Sequence, residues 1–180
     1  MKVYTIGHST RTVEELVALL RDAGVDLLID VRSYPRSRTN PQFNADALPD
    51  ALGPSGIGYR HLRALGGRRG PQELDGPSPN GLWRNTAFRN YADYGLTPGF
   101  RAGFETLLGL AQDHVCAVMC AEAPWWRCHR QIITDYLLAA GVPVEHILGP
   151  GKVDAARLTP GALTQPDGTV HYPAAQGSLF

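Results

Sequence analysis

The opening stretch of the chain constrains its fold more than any other segment. Residues 2–7 are an apolar-rich run of strand length that stops at a glycine. Thr12-Val13-Glu14-Glu15 then reads as a capping box, with the Thr12 hydroxyl accepting from the Glu15 N–H and the Glu15 carboxylate reaching back. Val13, Leu16, Val17, Leu20 and Ala23 recur at helical spacing, and Gly24 closes the helix where a left-handed residue is commonly needed. Residues 26–31 are a second short apolar run. Strand, helix and strand in this order predict parallel strands joined by a right-handed crossover.

The same pattern resumes late in the chain. Residues 115–120 form the clearest buried strand, a helix follows over about residues 127–140, Gly141 stops it, and residues 143–148 make a further strand. Thr97-Pro98 starts another helix, with Thr as N-cap, Pro at the first helical position and Phe100, Phe104, Leu107, Leu108 and Ala111 on its apolar face. Between these units Pro35, Pro41, Pro49 and Pro54 interrupt the periodicity, leaving short helices near residues 44–52 and 85–94 and a strand over 56–61. The expected architecture is α/β, a mainly parallel sheet flanked by helices. It fills a single domain over residues 1–150, with a long Gly/Pro/Arg-rich loop insertion over 62–95 that acts as a loop or lid. An extended C-terminal tail, residues 151–180, carries one β-like run at 169–172.

A chain of 180 residues that is 43% hydrophobic can bury one real core. No run of apolar residues is long enough to cross a bilayer, and the first residues enter a strand rather than a signal sequence, so a cytoplasmic protein is expected. Three cysteines, Cys116, Cys120 and Cys128, are an odd set for a disulfide framework. Zero net charge excludes indiscriminate nucleic-acid binding by bulk charge, but the distribution is uneven. Residues 32–101 hold ten arginines against five acids.

Parallel sheets bind ligands beyond the carboxyl ends of their strands. Three such ends carry polar groups here: Gly7-His8-Ser9, Asp30-Val31-Arg32 and Cys120-Ala121-Glu122, the last followed by Cys128-His129-Arg130 at a helix start. Backbone N–H groups there favour anions and lower the pKa of a thiol. With Thr5-Ile6 before the first motif, Pro35 and Ser37 after the second, and Tyr59, Leu62 and Leu65-Gly66-Gly67 between, the chain resembles the family called domain of unknown function 488. That resemblance spans most of residues 4–148 and implies a compact α/β fold with the motifs gathered in one cleft. It implies no activity.

Three chemistries fit the residues. In one, Arg32 and Arg130 clamp a phosphate or carboxylate with Ser9, Cys120, Cys128 and His129 beside it, His8 and Glu122 do acid–base work, and Asp30 orients. In another, Cys120, Cys128 and His129 hold a metal in a structural module, although Cys-x7-Cys-His is not a familiar zinc spacing. In a third, Cys120 and Arg127 form a phosphatase- or sulfurtransferase-like loop, against which Pro124 removes an N–H and Trp125 and Trp126 add bulk. Each motif also has a plain structural role open to it: a turn cap for His8, an internal charge pair for Asp30 and Arg32, core packing for Cys116. No cofactor is required.

The chain ends Gln176-Gly177-Ser178-Leu179-Phe180, which resembles the short peptide by which bacterial repair and replication proteins dock on the DNA sliding clamp. Leu179 and Phe180 would fill an apolar pocket and Gln176 would anchor the peptide. A non-enzymatic DNA accessory tethered this way would turn Arg60, Arg63, Arg68 and Arg69 toward phosphates, with Trp83, Tyr91 and Tyr94 stacking on bases. That accessory is the alternative; the leading expectation is a protein whose anion-binding cleft acts on or binds nucleic acid or a phosphate-bearing ligand, the reaction being open.

Overall fold

The parallel strands follow from their sequences' two-sided burial. In a computed structural model of the chain, which describes residues 1–176, every residue of β2 (Leu27–Asp30) and β4 (Cys116–Cys120) is buried. Leu27 and Ile29 join one hydrophobic cluster and Leu28 the other, as side chains alternating across a sheet must. The remaining strands are β1 (Val3–Gly7), β3 (Gly58–His61), β5 (Val144–Gly149) and β6 (Lys152–Ala155). They form one sheet in the order β3-β2-β4-β1-β5-β6, parallel throughout except for β6, which pairs antiparallel with β5. The fold is α/β.

Helices α1 (Val13–Asp22) and α2 (Leu48–Leu52) place Leu16, Leu20, Leu48 and Leu52 against one face of the sheet. On the other face, α3 (Thr86–Tyr94), α4 (Pro98–Asp113) and α5 (Arg130–Ala139) contribute Tyr91, Phe100, Leu107, Ile133 and Leu137. Thr12 Oγ1 accepts from Glu15 N at 3.1 Å, although the Glu15 carboxylate makes no return bond among the described residues, and Thr97 caps α4 with Pro98 at its first position. None of the described helices is long and apolar enough to cross a membrane.

The order of the strands decides where the motifs go. β2, β4 and β1 are consecutive neighbours, with Gly7 level with Cys120 and Asp30 level with Met119. Three segments distant in sequence therefore end side by side on one edge of the sheet.

The chain after residue 150 is more than an extended tail. β6 adds a strand, β7 (Leu163–Thr164) and β8 (Val170–His171) form a hairpin, and Tyr172 is fully buried. The Tyr172 hydroxyl donates to Asp135 Oδ2 at 2.8 Å, its N–H donates to Asn80 Oδ1, and its carbonyl accepts from Leu82 N. These bonds pin the irregular stretch before α3 to the body of the domain. The driving force is burial of a large aromatic ring with its hydroxyl satisfied, a tertiary effect with no local signature.

Candidate functional site

Asp30, at the end of β2, is fully buried and accepts four hydrogen bonds. Its Oδ1 takes Arg32 N at 3.1 Å and Arg32 Nε at 2.9 Å; its Oδ2 takes Arg32 Nη2 at 2.6 Å and the Tyr59 hydroxyl at 2.7 Å. Those four donors occupy every lone-pair position a carboxylate offers. Arg32 Nη2 also donates to the Phe43 carbonyl, and Nη1 donates to His8 Nε2 at 3.3 Å. Because a guanidinium only donates, His8 Nε2 carries the lone pair and Nδ1–H donates to the Ser9 carbonyl at 2.8 Å. Burial, reinforced by Arg32, holds His8 below its ordinary pKa despite the Ser9 contact, so the ring is neutral. It stacks on Phe43 with centroids 4.4 Å apart.

The loop after β1 is set by two backbone conditions. A Cβ on Gly7 would lie 1.9 Å from the Glu122 carbonyl oxygen, so only glycine lets the β1 and β4 loops close on each other. Ser9 has φ of +50°, a left-handed conformation uncommon for a residue with a Cβ. Its N–H donates to the Ala121 carbonyl. Strained backbone of this kind concentrates at functional loops.

Beyond β4 the chain makes a 3-10 turn at Trp125–Arg127, passes through extended Cys128 and enters α5 behind His129 as N-cap. The expected helix start at 127 thus falls three residues later, and Cys128 lies before the helix, not on its first turn. Trp125 does not block the site. Its ring stacks on the buried His146 of β5, 4.4 Å away and nearly parallel, while Trp126 points to solvent. Burial, reinforced by nearby Arg130, pushes His146 down to about 4. His129 donates Nε2–H to the Val31 carbonyl at 2.8 Å. A Cβ on Gly67 would fall 2.3 Å from His129 Nδ1, which explains a glycine in the Leu65-Gly66-Gly67 motif.

Arg130 is not exposed to a ligand. Only 1% of it is accessible. Its Nε donates to Cys120 Sγ at 3.0 Å and Cys128 Sγ at 3.1 Å, and its Nη2 donates to the carbonyls of Glu122 and Ala123. It braces the cysteine turn from below, which corrects its expected part as a direct anion clamp. The two sulfurs are 2.9 Å apart and both cysteines are free thiols. Cys128 Sγ also accepts the Arg130 N–H at 3.4 Å.

Part of this cluster lines a cleft of about 760 Å³. His8, Cys120, Cys128 and His129 lie along it, and Arg32, Arg36, Arg68 and Arg127 surround it against a single carboxylate, Glu122. Arg32 is neutralised by Asp30, and Arg36 stands 3.7 Å from Asp46 with both side chains well exposed. Arg68 and Arg127 have no ion-pair partner among the described residues. The Glu122 side chain is exposed at the rim and makes no hydrogen bond among the described residues.

Several expected residues are placed elsewhere. Arg60 and Arg63 are exposed on and just after the edge strand β3 and do not line the cleft. Arg69 lies 3.8 Å over the Tyr94 ring and donates to the Gly66, Arg63 and Ala64 carbonyls, which spends its guanidinium internally. Tyr91 and Tyr94 are buried with their hydroxyls on the Leu65 and Ala64 carbonyls, and Trp83 packs on Phe88 and Tyr172. Neither tyrosine presents a free face for base stacking, and Trp83 is half-buried. Among the described residues no three His, Cys, Asp or Glu side chains are grouped to hold a metal ion. Between Cys120 and Cys128 the cationic position is taken by Arg130, and His129 is turned to Val31. Gln176 is exposed; Leu179 and Phe180 lie outside the described residues.

Some site residues had no assigned part. Phe43, His146, Tyr34 and Arg36 carry no local signal, because their partners are far away in sequence. Tyr59 stands within the recognisable motifs, and its role as a donor to Asp30 emerges only when β3 pairs with β2.

A family model described as "Domain of unknown function DUF488" matches residues 12–137. No curated protein and no solved structure matches the chain.

Proposed function

The chain belongs to the DUF488 family, a membership that assigns no chemistry, and from the cleft itself we infer that the protein binds a phosphate- or carboxylate-bearing ligand about the size of a nucleotide. The observation that carries this reading is the charge around the opening: four arginines against one carboxylate, with two of the arginines unpaired among the described residues. A concave site with a few convergent polar groups is the common form of a small-molecule pocket. The Asp30–Arg32–Tyr59 network fixes one wall, so little ordering is left to the moment of binding. Arg68 and Arg127 supply charge, and neutral His8 and exposed Glu122 are the groups in reach for proton transfer.

A small ligand is favoured over a nucleic-acid track because Tyr91 and Tyr94 are buried, Trp83 is packed on Phe88 and Tyr172, and Arg69 is spent internally. The test is a thermal-shift and calorimetric screen of nucleotides, sugar phosphates, dicarboxylates and short oligonucleotides. A ligand at a hundred times its dissociation constant stabilises the fold by about 2.7 kcal/mol. Charge-assisted hydrogen bonds are worth about 1.5–3 kcal/mol. Arg68→Ala and Arg127→Ala should therefore each weaken a true ligand roughly tenfold or more while leaving the unfolding temperature unchanged. Failure of every small anion, with tight oligonucleotide binding and a steep salt dependence, would replace this reading with a nucleic-acid surface.

A further inference from the structure

Anion binding at the rim leaves the cysteine pair without a role. A guanidinium buried as deeply as that of Arg130 requires a counter-charge, since an unpaired buried ion is strongly destabilising. Among the described residues no carboxylate pairs with it. Its contacts are two backbone carbonyls and two sulfurs, and of these only a sulfur can become an anion. Cys128 is the better placed of the two. It sits just before α5, and its Sγ accepts the Arg130 N–H at the positive end of the helix. Cys120, at the end of β4, is within hydrogen-bond reach as the thiol that donates to it. Both line the cleft, where 3% of Cys120 and 8% of Cys128 is accessible, whereas Cys116 is fully buried in the sheet.

We propose that Cys120 and Cys128 are a redox-active dithiol that reduces low-molecular-weight disulfides entering the cleft, with Cys128 as the attacking thiolate and Cys120 as the resolving thiol. The Cys128 thiolate attacks one sulfur of the substrate disulfide. A mixed disulfide forms on Cys128, the substrate S–S bond breaks, and the first substrate thiolate leaves with the proton that Cys120 gives up. Cys120 then attacks Cys128 Sγ, the Cys120–Cys128 bond forms, and the second substrate thiolate departs. The protein has lost two electrons and, once the second thiolate takes from water the proton that Cys128 released on ionising, the substrate has become two thiols. The two sulfurs need to approach by less than about 1 Å to reach a bonded distance of about 2.05 Å. The pKa directions agree. Burial raises Cys128, but its hydrogen bond from Cys120 and the charge of Arg130 outweigh it and bring Cys128 down to about 6. Burial and the Cys128 contact push Cys120 up. The neighbouring histidines, His129 and His146, are held neutral, each down to about 4 chiefly by burial, and add no competing charge.

A preference for anionic disulfides rests on the cationic rim proposed above; the dithiol chemistry does not. The experiment treats the reduced full chain with glutathione disulfide, which is anionic, or with cystamine, which is cationic, and follows intact mass and disulfide-mapped peptides. The expected product is a Cys120–Cys128 disulfide, two hydrogens lighter, with Cys116 still free. Cys120→Ser should stop at a stable mixed disulfide on Cys128, and Cys128→Ser should leave Cys120 unmodified. Faster oxidation by glutathione disulfide supports the dithiol and its charge preference together. Equal rates support the dithiol and overturn the preference for anions. If neither disulfide oxidises the pair in the folded chain, or if Cys128→Ser reacts as the parent does, the proposal is wrong.

Discussion

Replacing Asp30 with Asn is the most informative test of how the cleft wall is held. The change preserves shape and removes only the charge and one acceptor. In the native site four donors converge on the carboxylate: three from Arg32 and one from Tyr59. An amide keeps one oxygen, and its NH2 must face two of those donors whichever way it turns. Losing two hydrogen bonds to a charged acceptor costs about 3–6 kcal/mol at roughly 1.5–3 kcal/mol each. The cost of breaking a buried pair from one side, about 3–5 kcal/mol, agrees. At ~2–4 °C per kcal/mol for a domain of this size, the unfolding temperature should fall by about 6–20 °C. Tyr59→Phe removes one donor and leaves the ion pair, so its loss should be about half as large. Thermal and urea unfolding followed by circular dichroism measure both. A loss under about 1 kcal/mol for Asp30→Asn, or one no larger than that of Tyr59→Phe, would refute the saturated-carboxylate argument.

Further predictions concern backbone, pH and the terminus. Gly7→Ala places a Cβ against the Glu122 backbone and should lower the unfolding temperature severely or abolish soluble expression, whereas Gly109→Ala on α4, with open space around it, should be neutral or stabilising. His129 and His146 are each held near 4, so the unfolded chain binds protons that the folded chain refuses between pH 6.5 and 4. Their contribution, about 3 kcal/mol each, is intact above pH 6.5 and is lost as pH falls toward 4; His146→Gln should flatten that part of a stability–pH curve. Deletion of residues 176–180 tests docking on the sliding clamp: a docking peptide predicts loss of clamp capture in a pull-down, and undiminished capture would dismiss it.

The elements most legible in the sequence were those whose signals are local. The Thr12 cap, the Thr97-Pro98 start and the apolar run before Cys120 depend on neighbours within a few residues, and each is found where expected. Strand ends carrying His8, Asp30, Arg32 and Cys120 were legible as candidates because polar groups at the close of apolar runs have few other uses. Their adjacency depends on strand order, which β4 sets by inserting between β2 and β1. Arg130 illustrates the limit. Its charge suggests a ligand, but the turn carrying Cys128 folds over it and gives it sulfurs for partners. Tyr172 illustrates another, since its pocket is built by Asn80 and Asp135. Trp83, Tyr91 and Tyr94 read as exposed aromatics in a polar segment, yet the core claims all three.

Differential alkylation of Cys128 probes the proposed cationic cleft and the reactive sulfur that lines it. Iodoacetate and iodoacetamide deliver the same group, one with a negative charge and one without. Relative to a free thiol in an unfolded peptide, Cys128 in the folded chain should favour iodoacetate, react with an inflection near pH 6, and be shielded by an anion that binds the cleft. Cys128 that reacts only on unfolding, or that shows no bias toward the charged reagent and no protection by any anion, would contradict it.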